Sequence, residues 1–139
     1  MVSSQAADRS LPTFGTLMAV ARVLILDDEP LIAMLLHNWL EELGYEPIGP
    51  ANTVAQAVAL IENDRPDAAI LDVSLHKDDC YSLADALKTR NIPFAFGTGR
   101  NKQMIAPRHA EVPMLSKPYD QTALELVMSE LLPGRGFAA

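Results

Sequence analysis

Residues 68–73 read AAILDV, an apolar run broken near its end by one carboxylate, Asp72. A strand that is apolar on both sides is typical of a parallel sheet with helices on both of its faces. The run RVLILD at residues 22–27 has the same character, and a longer segment with helically spaced apolar residues follows each run. This alternation of short and long segments predicts an α/β fold.

The rest of the chain divides into the same two kinds of segment. We predict strands over 22–27, 45–49, 68–73, 93–96 and 112–115. We predict helices over 30–43, from residue 53 or 54 onward, over 81–90, over 101–108 and over 119–132. Five strand–helix units predict a flavodoxin-like (βα)5 doubly wound parallel sheet with the strand order 2-1-3-4-5.

Composition narrows the class of protein. The chain has 139 residues and a net charge of −7, so it lacks the broad basic face that binding to nucleic acid requires. No apolar run approaches the roughly 18 residues of a membrane span. The single cysteine, Cys80, cannot form an internal disulfide, which favours a reducing setting. We therefore expect a cytoplasmic protein that binds neither nucleic acid nor membrane.

The predicted elements also set the domain boundaries. We expect one domain over residues 21–133, a disordered N-terminal extension over 1–20 and a short C-terminal tail over 134–139. The first 21 residues contain one basic residue and no charged segment of the kind that opens a signal peptide. Met18 directly precedes the first strand, so translation could also begin there.

Carboxylates gather where two of the predicted strands end. The first strand ends at Asp27 and Asp28, with Glu29 next, and the third ends at Asp72. In a parallel sheet these ends lie at the same edge, where ligands bind. Close carboxylates repel each other by roughly 1–4 kcal/mol per pair, and a divalent cation removes that repulsion. Mg²⁺ prefers carboxylates, waters and phosphate oxygens, so the sequence predicts a Mg²⁺ site with Asp72 as a carboxylate nucleophile.

A hydroxyl and an ammonium follow the other two strands. Thr98 comes after the fourth predicted strand and Lys117 after the fifth. Neighbouring strands lie roughly 4.8 Å apart, so Thr98 is one spacing from Asp72 and Lys117 is two. Only a long side chain could reach an anion at Asp72 from there, and lysine is long and positively charged. Both residues are therefore candidates for binding a phosphoryl group.

Four segments carry a family resemblance. VLILDDEP at 23–30, AAILDVSL at 68–75, FGTG at 96–99 and LSKPY at 115–119 resemble, in this order, the motifs of response-regulator receiver domains in two-component systems. The resemblance covers about residues 21–132. A P-loop or dinucleotide-binding glycine motif is absent from the sequence, which argues against a nucleotide-binding domain.

The resemblance implies a role for each matching residue. Asp72 is the residue that is phosphorylated. Asp28 binds Mg²⁺ directly, Asp27 binds it through water, and the backbone carbonyl of Ser74 completes the metal shell together with Asp72. Thr98 and Lys117 bind the phosphoryl group.

The resemblance also implies partners. A histidine kinase or a phosphotransfer protein would donate the phosphoryl group, and the signal would pass to a downstream protein target, or the domain would serve as a phosphate sink or shuttle. Such a domain catalyses only its own phosphorylation and dephosphorylation. A receiver-like docking module that is not phosphorylated remains the alternative, and the sequence leaves open whether the protein is a monomer or a weak dimer.

One part of the site departs from the common pattern. Most of the family has an aromatic residue three positions before the lysine, where this chain has Met114. FGTGRN at 96–101 resembles the subfamily named for its FATGUY motif, although Gly97 replaces the alanine and Asn101 the terminal tyrosine. We therefore predict that phosphorylation orders a loose segment over 97–106.

Other residues are given ordinary structural roles. We predict that Leu31, Leu35 and Leu36 of the first helix lie in the core. We predict that His37 and His109 lie at the surface, because nothing in their spacing indicates a metal site.

Overall fold

The fold is built on one sheet of five parallel strands. A computed structural model describes residues 20–74, 80–99, 107–109 and 111–134. The strands are β1 (Arg22–Leu26), β2 (Glu46–Ala51), β3 (Ala68–Asp72), β4 (Phe94–Thr98) and β5 (Met114–Ser116). Their order in the sheet is β2-β1-β3-β4-β5, which confirms the predicted flavodoxin-like topology.

Helices cover both faces of this sheet. The α-helices in the described residues are α1 (Pro30–Glu42), α2 (Val54–Asp64), α3 (Tyr81–Thr89) and α4 (Gln121–Leu131), and Pro107–His109 forms one 3-10 turn. None of the helices in this part of the chain has the length and apolar character that crossing a membrane requires. The helix predicted over 101–108 falls outside the described residues, except for its last two positions.

Side-chain oxygens fix where two helices begin. The backbone N–H of Gln56 donates to Thr53 Oγ1 (3.1 Å) ahead of α2. The N–H of Ala123 donates to Asp120 Oδ1 (2.7 Å) ahead of α4. Such caps satisfy backbone donors that have no partner within the helix. The cap at Asp120 explains why α4 begins two residues later than predicted.

Alternate strand residues pack into two separate cores. The side chains under α1 and α4 include Val23, Ile25, Ile70, Ala95 and Leu115. Those under α2 and α3 include Leu24, Leu26, Ala69, Leu71, Phe94 and Phe96. Because successive residues of a strand point to opposite faces, Asp72 and Gly97 continue the set that faces α1 and α4.

All five strands differ from their predicted bounds by one or two residues, and the differences in β4 and β5 bear on the site. β4 extends to Thr98, so the predicted hydroxyl lies within the strand rather than after it. β5 begins at Met114, because the preceding Val112 N–H donates to the carbonyl of His109 (3.2 Å) and closes the 3-10 turn. The predicted extension over 1–20 and tail over 134–139 lie outside the described residues except at positions 20 and 134, so the domain boundaries stay predictions.

The prediction that three leucines of α1 are core residues was wrong for two of them. Leu36 is buried, but Leu31 is 72% exposed and Leu35 is 39% exposed. Leu36 shares its side of the helix with Ala33 and Leu40, three and four residues away. Leu31 and Leu35 lie on the other side and face solvent.

The prediction that His109 is a surface residue was also wrong. His109 is only 1% exposed. Its ring stacks on Tyr81 at 5.7 Å between centroids and meets the edges of Phe94 and Phe96. Its Nε2 lies 3.1 Å from Asp85 Oδ1, which makes an ion-pair contact possible when the ring is protonated.

Candidate functional site

The candidate site is at the carboxyl edge of the sheet, around Asp72. Asp72 is the last residue of β3 and is 1% exposed. Its Oδ1 accepts a hydrogen bond from the backbone N–H of Ser74 (2.8 Å). Ser74 thus lies beside Asp72, as its predicted role requires, but that its carbonyl binds metal stays a prediction.

Three carboxylates converge at this edge. Asp27, Glu29 and Asp72 each place one oxygen within 4.8 Å of the other two. Within the described residues, Oδ2 of Asp27 and Oδ2 of Asp72 are buried and have no hydrogen-bond partner. Buried carboxylate oxygens without donors are costly unless a cation compensates them, so this donor set fits a hard divalent ion such as Mg²⁺.

The composition of this group differs from the predicted ligand set. Asp27 and Asp72 were predicted to bind metal, whereas Glu29 was noted only as an acidic neighbour. Asp28, the predicted direct ligand, is half-buried and is not one of the three converging residues. Its role as a ligand stays a prediction.

The buried acid Asp27 has an altered acidity. Its pKa is raised from 3.8 to about 7, mainly by burial, and the charges of Asp72 and Glu29 contribute to the increase. The backbone N–H of Glu29, which donates to Asp27 Oδ1 (2.9 Å), and the charge of Lys117 act in the opposite direction. The site therefore has more negative charge than its surroundings stabilise, and a bound cation would reduce that excess.

Lys117 reaches this group from the far side of β4. Its Nζ lies 2.8 Å from Glu29 Oε1 and 3.4 Å from Asp72 Oδ1. Burial lowers its pKa, but the hydrogen bond to Glu29 and the charges of Asp72 and Asp27 outweigh burial, so the net effect is a raised pKa. The lysine is therefore charged at neutral pH and is shared between two carboxylates.

Thr98 is held in place by the backbone. It is the last residue of β4, is 1% exposed and pairs with Ser116 of β5. Its carbonyl accepts a hydrogen bond from the N–H of Lys117 (2.8 Å), which links the two predicted phosphoryl-binding residues. The predicted switch segment over 97–106 is described only at residues 97–99, so the proposed ordering of that segment stays a prediction.

Sequence reasoning missed Tyr119, which also borders the site. Tyr119 is 8% exposed, and the Lys117 Nζ lies 5.9 Å from the centroid of its ring. Burial raises the pKa of Tyr119 above its usual range, and the nearby carboxylates of Asp72, Asp27 and Glu29 raise it further. The signal in the sequence was the glycine at position 97, which leaves space that the tyrosine fills.

Comparisons with known proteins bear on the family of the chain. The family model for the response regulator receiver domain matches residues 23–128. The phyllosphere-induced regulator PhyR of Methylorubrum extorquens is 33% identical over 114 residues, which cover 79% of this chain and 43% of PhyR. The transcriptional regulatory protein PdtaR of Mycobacterium tuberculosis is 34% identical over 116 residues, which cover 78% of this chain and 57% of PdtaR. The chain thus spans about half the length of these two relatives.

One solved structure resembles most of the chain. The solution structure of SdrG from Sphingomonas melonis is 41% identical, with a TM-score of 0.73, and the match covers 82% of this chain and 98% of SdrG. The structure of the BeF3-activated conformation of SdrG matches with the same TM-score of 0.73.

Proposed function

The chain belongs to the response regulator receiver family, and from this premise we propose that Asp72 accepts a phosphoryl group from a histidine kinase or a phosphotransfer protein. The observation that carries the proposal is the position of Asp72. It is a buried carboxylate with one oxygen lacking a partner in the described residues, it lies among other carboxylates, and its Oδ1 is 3.4 Å from a lysine ammonium.

The chemistry is a single displacement at phosphorus. An oxygen of Asp72 attacks the phosphorus of a phosphohistidine, so an O–P bond forms and the N–P bond breaks. The electron pair of the N–P bond stays with the imidazole of the donor. Most of the catalytic contribution comes from positioning and from compensating charge on the phosphoryl oxygens.

Different residues of this chain would bind the cation and the phosphoryl group. Asp27, Glu29 and Asp72 would hold the cation, with Asp28 and the carbonyl of Ser74 as the further ligands that the family resemblance implies. Bound Mg²⁺ would supply positive charge next to the phosphoryl oxygens.

The phosphoryl group itself would be bound from the other side. Lys117 is already within 3.4 Å of Asp72, so its ammonium can shift from Glu29 toward a new anion with little movement. Thr98, one strand away from Asp72, would donate its hydroxyl hydrogen to the same group. Both residues thus stabilise the negative charge that the transfer brings to β3.

The exposed face of α1 is the part of the surface we assign to the donor protein. Leu31, Met34 and Leu35 are 72%, 52% and 39% exposed, and Met34 and Leu35 follow Leu31 by three and four residues, which places both next to it on the helix surface. The helix begins at Pro30, directly after the acidic residues of the site. A donor helix packed on this apolar face would bring its histidine close to Asp72.

The signal would leave through contact with a downstream protein, or the domain would pass the phosphoryl group on as a sink or shuttle. Both roles suit a cytoplasmic protein with a net charge of −7, since neither needs a basic surface.

Phosphorylation of variants with acetyl phosphate and Mg²⁺ tests the proposal. Asp72→Asn should abolish hydroxylamine-sensitive labelling, because an amide does not act as the nucleophile. Asp120→Asn is the matched control, because Asp120 is an exposed helix cap outside the site and asparagine also caps helices. Equal labelling of the Asp72→Asn variant would refute the assignment and favour a docking module that is not phosphorylated.

A further inference from the structure

The hydroxyl of Tyr119 occupies space that belongs to a side chain at position 97. A Cβ atom placed on Gly97 would overlap the Tyr119 hydroxyl oxygen and would lie 2.9 Å from Cζ of the same ring. Real Cβ atoms do not approach other atoms so closely. The glycine is therefore the feature that lets this hydroxyl reach the backbone of β4.

The position of that hydroxyl relative to Asp72 follows from the register of the sheet. Gly97 of β4 is paired with Asp72 of β3. Paired residues of parallel strands point to the same face, and neighbouring strands are about 4.8 Å apart. Tyr119 packs in the core under α1 and α4, which is the face that Asp72 continues. The hydroxyl thus lies about one strand spacing from the Asp72 side chain.

The hydroxyl is buried without a hydrogen-bond partner in the described part of the chain. A buried tyrosine hydroxyl normally has such a partner, because leaving the group unpaired costs free energy. Phenylalanine would fill the same space without that cost. Burial and the nearby carboxylates both raise the pKa of Tyr119, so the hydroxyl stays protonated and is available as a donor.

We propose that Tyr119 is a further phosphoryl-binding residue of this site: its hydroxyl, admitted by Gly97, donates a hydrogen bond to an oxygen of the group carried by Asp72. The proposal rests on the proposed phosphoacceptor function. It gives the buried donor an acceptor that exists only after phosphorylation.

Beryllofluoride binding in the presence of Mg²⁺ tests this inference by calorimetry. Tyr119→Phe keeps the ring and removes only the hydroxyl, so its melting temperature should not fall. Its affinity for beryllofluoride should fall about tenfold, the size expected for a hydrogen bond to a charged group. Tyr45→Phe is the matched control, because Tyr45 is buried in the same core next to the start of β2 and should leave the affinity unchanged.

Gly97→Ala tests the same contact from the other side. The added methyl group must displace the tyrosine ring, so the affinity should fall in the parent background. It should fall much less in the Tyr119→Phe background, because the hydroxyl contact is already lost there. Independent effects of the two substitutions would overturn the inference.

The outcomes separate the inference from the function on which it rests. If the parent chain does not bind beryllofluoride and Asp72→Asn is labelled by acetyl phosphate as the parent is, the phosphoacceptor function itself fails. If the parent binds beryllofluoride and Tyr119→Phe binds it equally well, the phosphoacceptor function stands and the role of Tyr119 is refuted.

Discussion

At the scale of single residues, Lys117 shows how the site is balanced before any ligand binds. Its ammonium is the positive charge that contacts both Glu29 and Asp72, at 2.8 Å and 3.4 Å. It therefore partly compensates the same carboxylates that would hold Mg²⁺. On the proposed function, this lysine would compete with Mg²⁺ for the carboxylates and would stabilise the phosphoryl group. Removing it should therefore raise the affinity for Mg²⁺ and lower the rate of phosphorylation.

We expect Lys117→Met to bind Mg²⁺ severalfold more tightly than the parent, because the competing ammonium is gone. Phosphorylation by acetyl phosphate should be at least tenfold slower, because one charge-assisted contact to the phosphoryl oxygens is lost. Calorimetry and a labelling time course measure the two effects. Lys88→Met, which removes an exposed lysine of α3, serves as the control. A parallel loss of both functions would contradict this account.

His109 is a second residue whose surroundings lead to a measurable effect. Burial lowers its pKa. Asp85 opposes this shift, while the positive charges of Lys88 and Arg108 add to it. At pH values below 6.5, the ordinary pKa of this histidine, the unfolded chain therefore binds a proton that the folded chain does not. The contribution of His109 to the free energy of unfolding should therefore fall as the pH drops below about 6.5, whereas Asp27, whose pKa is raised to about 7, acts in the opposite direction over the same range.

Urea unfolding at pH 7.5 and pH 5.5 tests this expectation. Because the parent and His109→Gln both contain Asp27, the test is the difference between them: from pH 7.5 to pH 5.5 the urea midpoint of the parent should fall relative to that of His109→Gln. Asp85 does not obscure the result: its pKa is lowered, mainly by its hydrogen bonds with Arg108, so its contribution is lost only below its ordinary value of 3.8. His37→Gln is the control for loss of a histidine. An unchanged slope in His109→Gln would show that another group titrates.

At the scale of elements, α1 is a helix whose buried side could not be predicted from the sequence pattern. Apolar residues occur on every side of PLIAMLLHNWL, so helical periodicity alone does not select the buried side. The sheet makes that selection, and it buries Leu36 while Leu31 and Leu35 remain exposed. His109 gives the opposite case, because a polar residue became buried through ring contacts that only the tertiary fold creates.

The exposed side of α1 leads to a prediction about the donor. Leu31→Ser should slow transfer from the phosphorylated donor protein severalfold, because it removes an apolar contact from the docking surface. Transfer from acetyl phosphate should not change, since a small donor does not need that surface. Leu126→Ser is the matched control, because Leu126 is 65% exposed on α4. Equal slowing with both donors would place the effect in the site rather than in docking.

At the scale of the whole molecule, much of the fold and of the site could be predicted because both depend on strand ends. The alternating segments gave the correct sheet order, and the parallel sheet then brings Asp27, Asp72 and Lys117 together at one edge. The contribution of Glu29 to that group was not predictable, because it depends on where one flexible side chain turns. The contact between Tyr119 and Gly97 likewise depends on the depth of a ring in the core.

The charge gathered at that edge should also govern the stability of the whole domain. Mg²⁺ at ten times its dissociation constant should stabilise the folded chain by about 1.4 kcal/mol, which corresponds to a few degrees in the melting temperature. Asp27→Asn should raise the melting temperature measured in EDTA, because it removes a buried carboxylate that lies against Asp72 and Glu29. The same variant should lose most of the increase that Mg²⁺ produces.

Thermal unfolding in EDTA and in Mg²⁺, with NaCl added to match the ionic strength, separates specific binding from screening. Asp120→Asn, which removes an exposed carboxylate outside the site, should show the same increase in melting temperature with Mg²⁺ as the parent does. If Mg²⁺ raises the melting temperature of Asp27→Asn as much as that of the parent, the cation binds elsewhere. If the melting temperature of Asp27→Asn in EDTA is lower than that of the parent, hydrogen-bond donors stabilise the Asp27 carboxylate more than its acidic neighbours destabilise it. On this account the stability of the domain and its affinity for Mg²⁺ would depend on the same buried carboxylates, so a substitution there should raise one and lower the other.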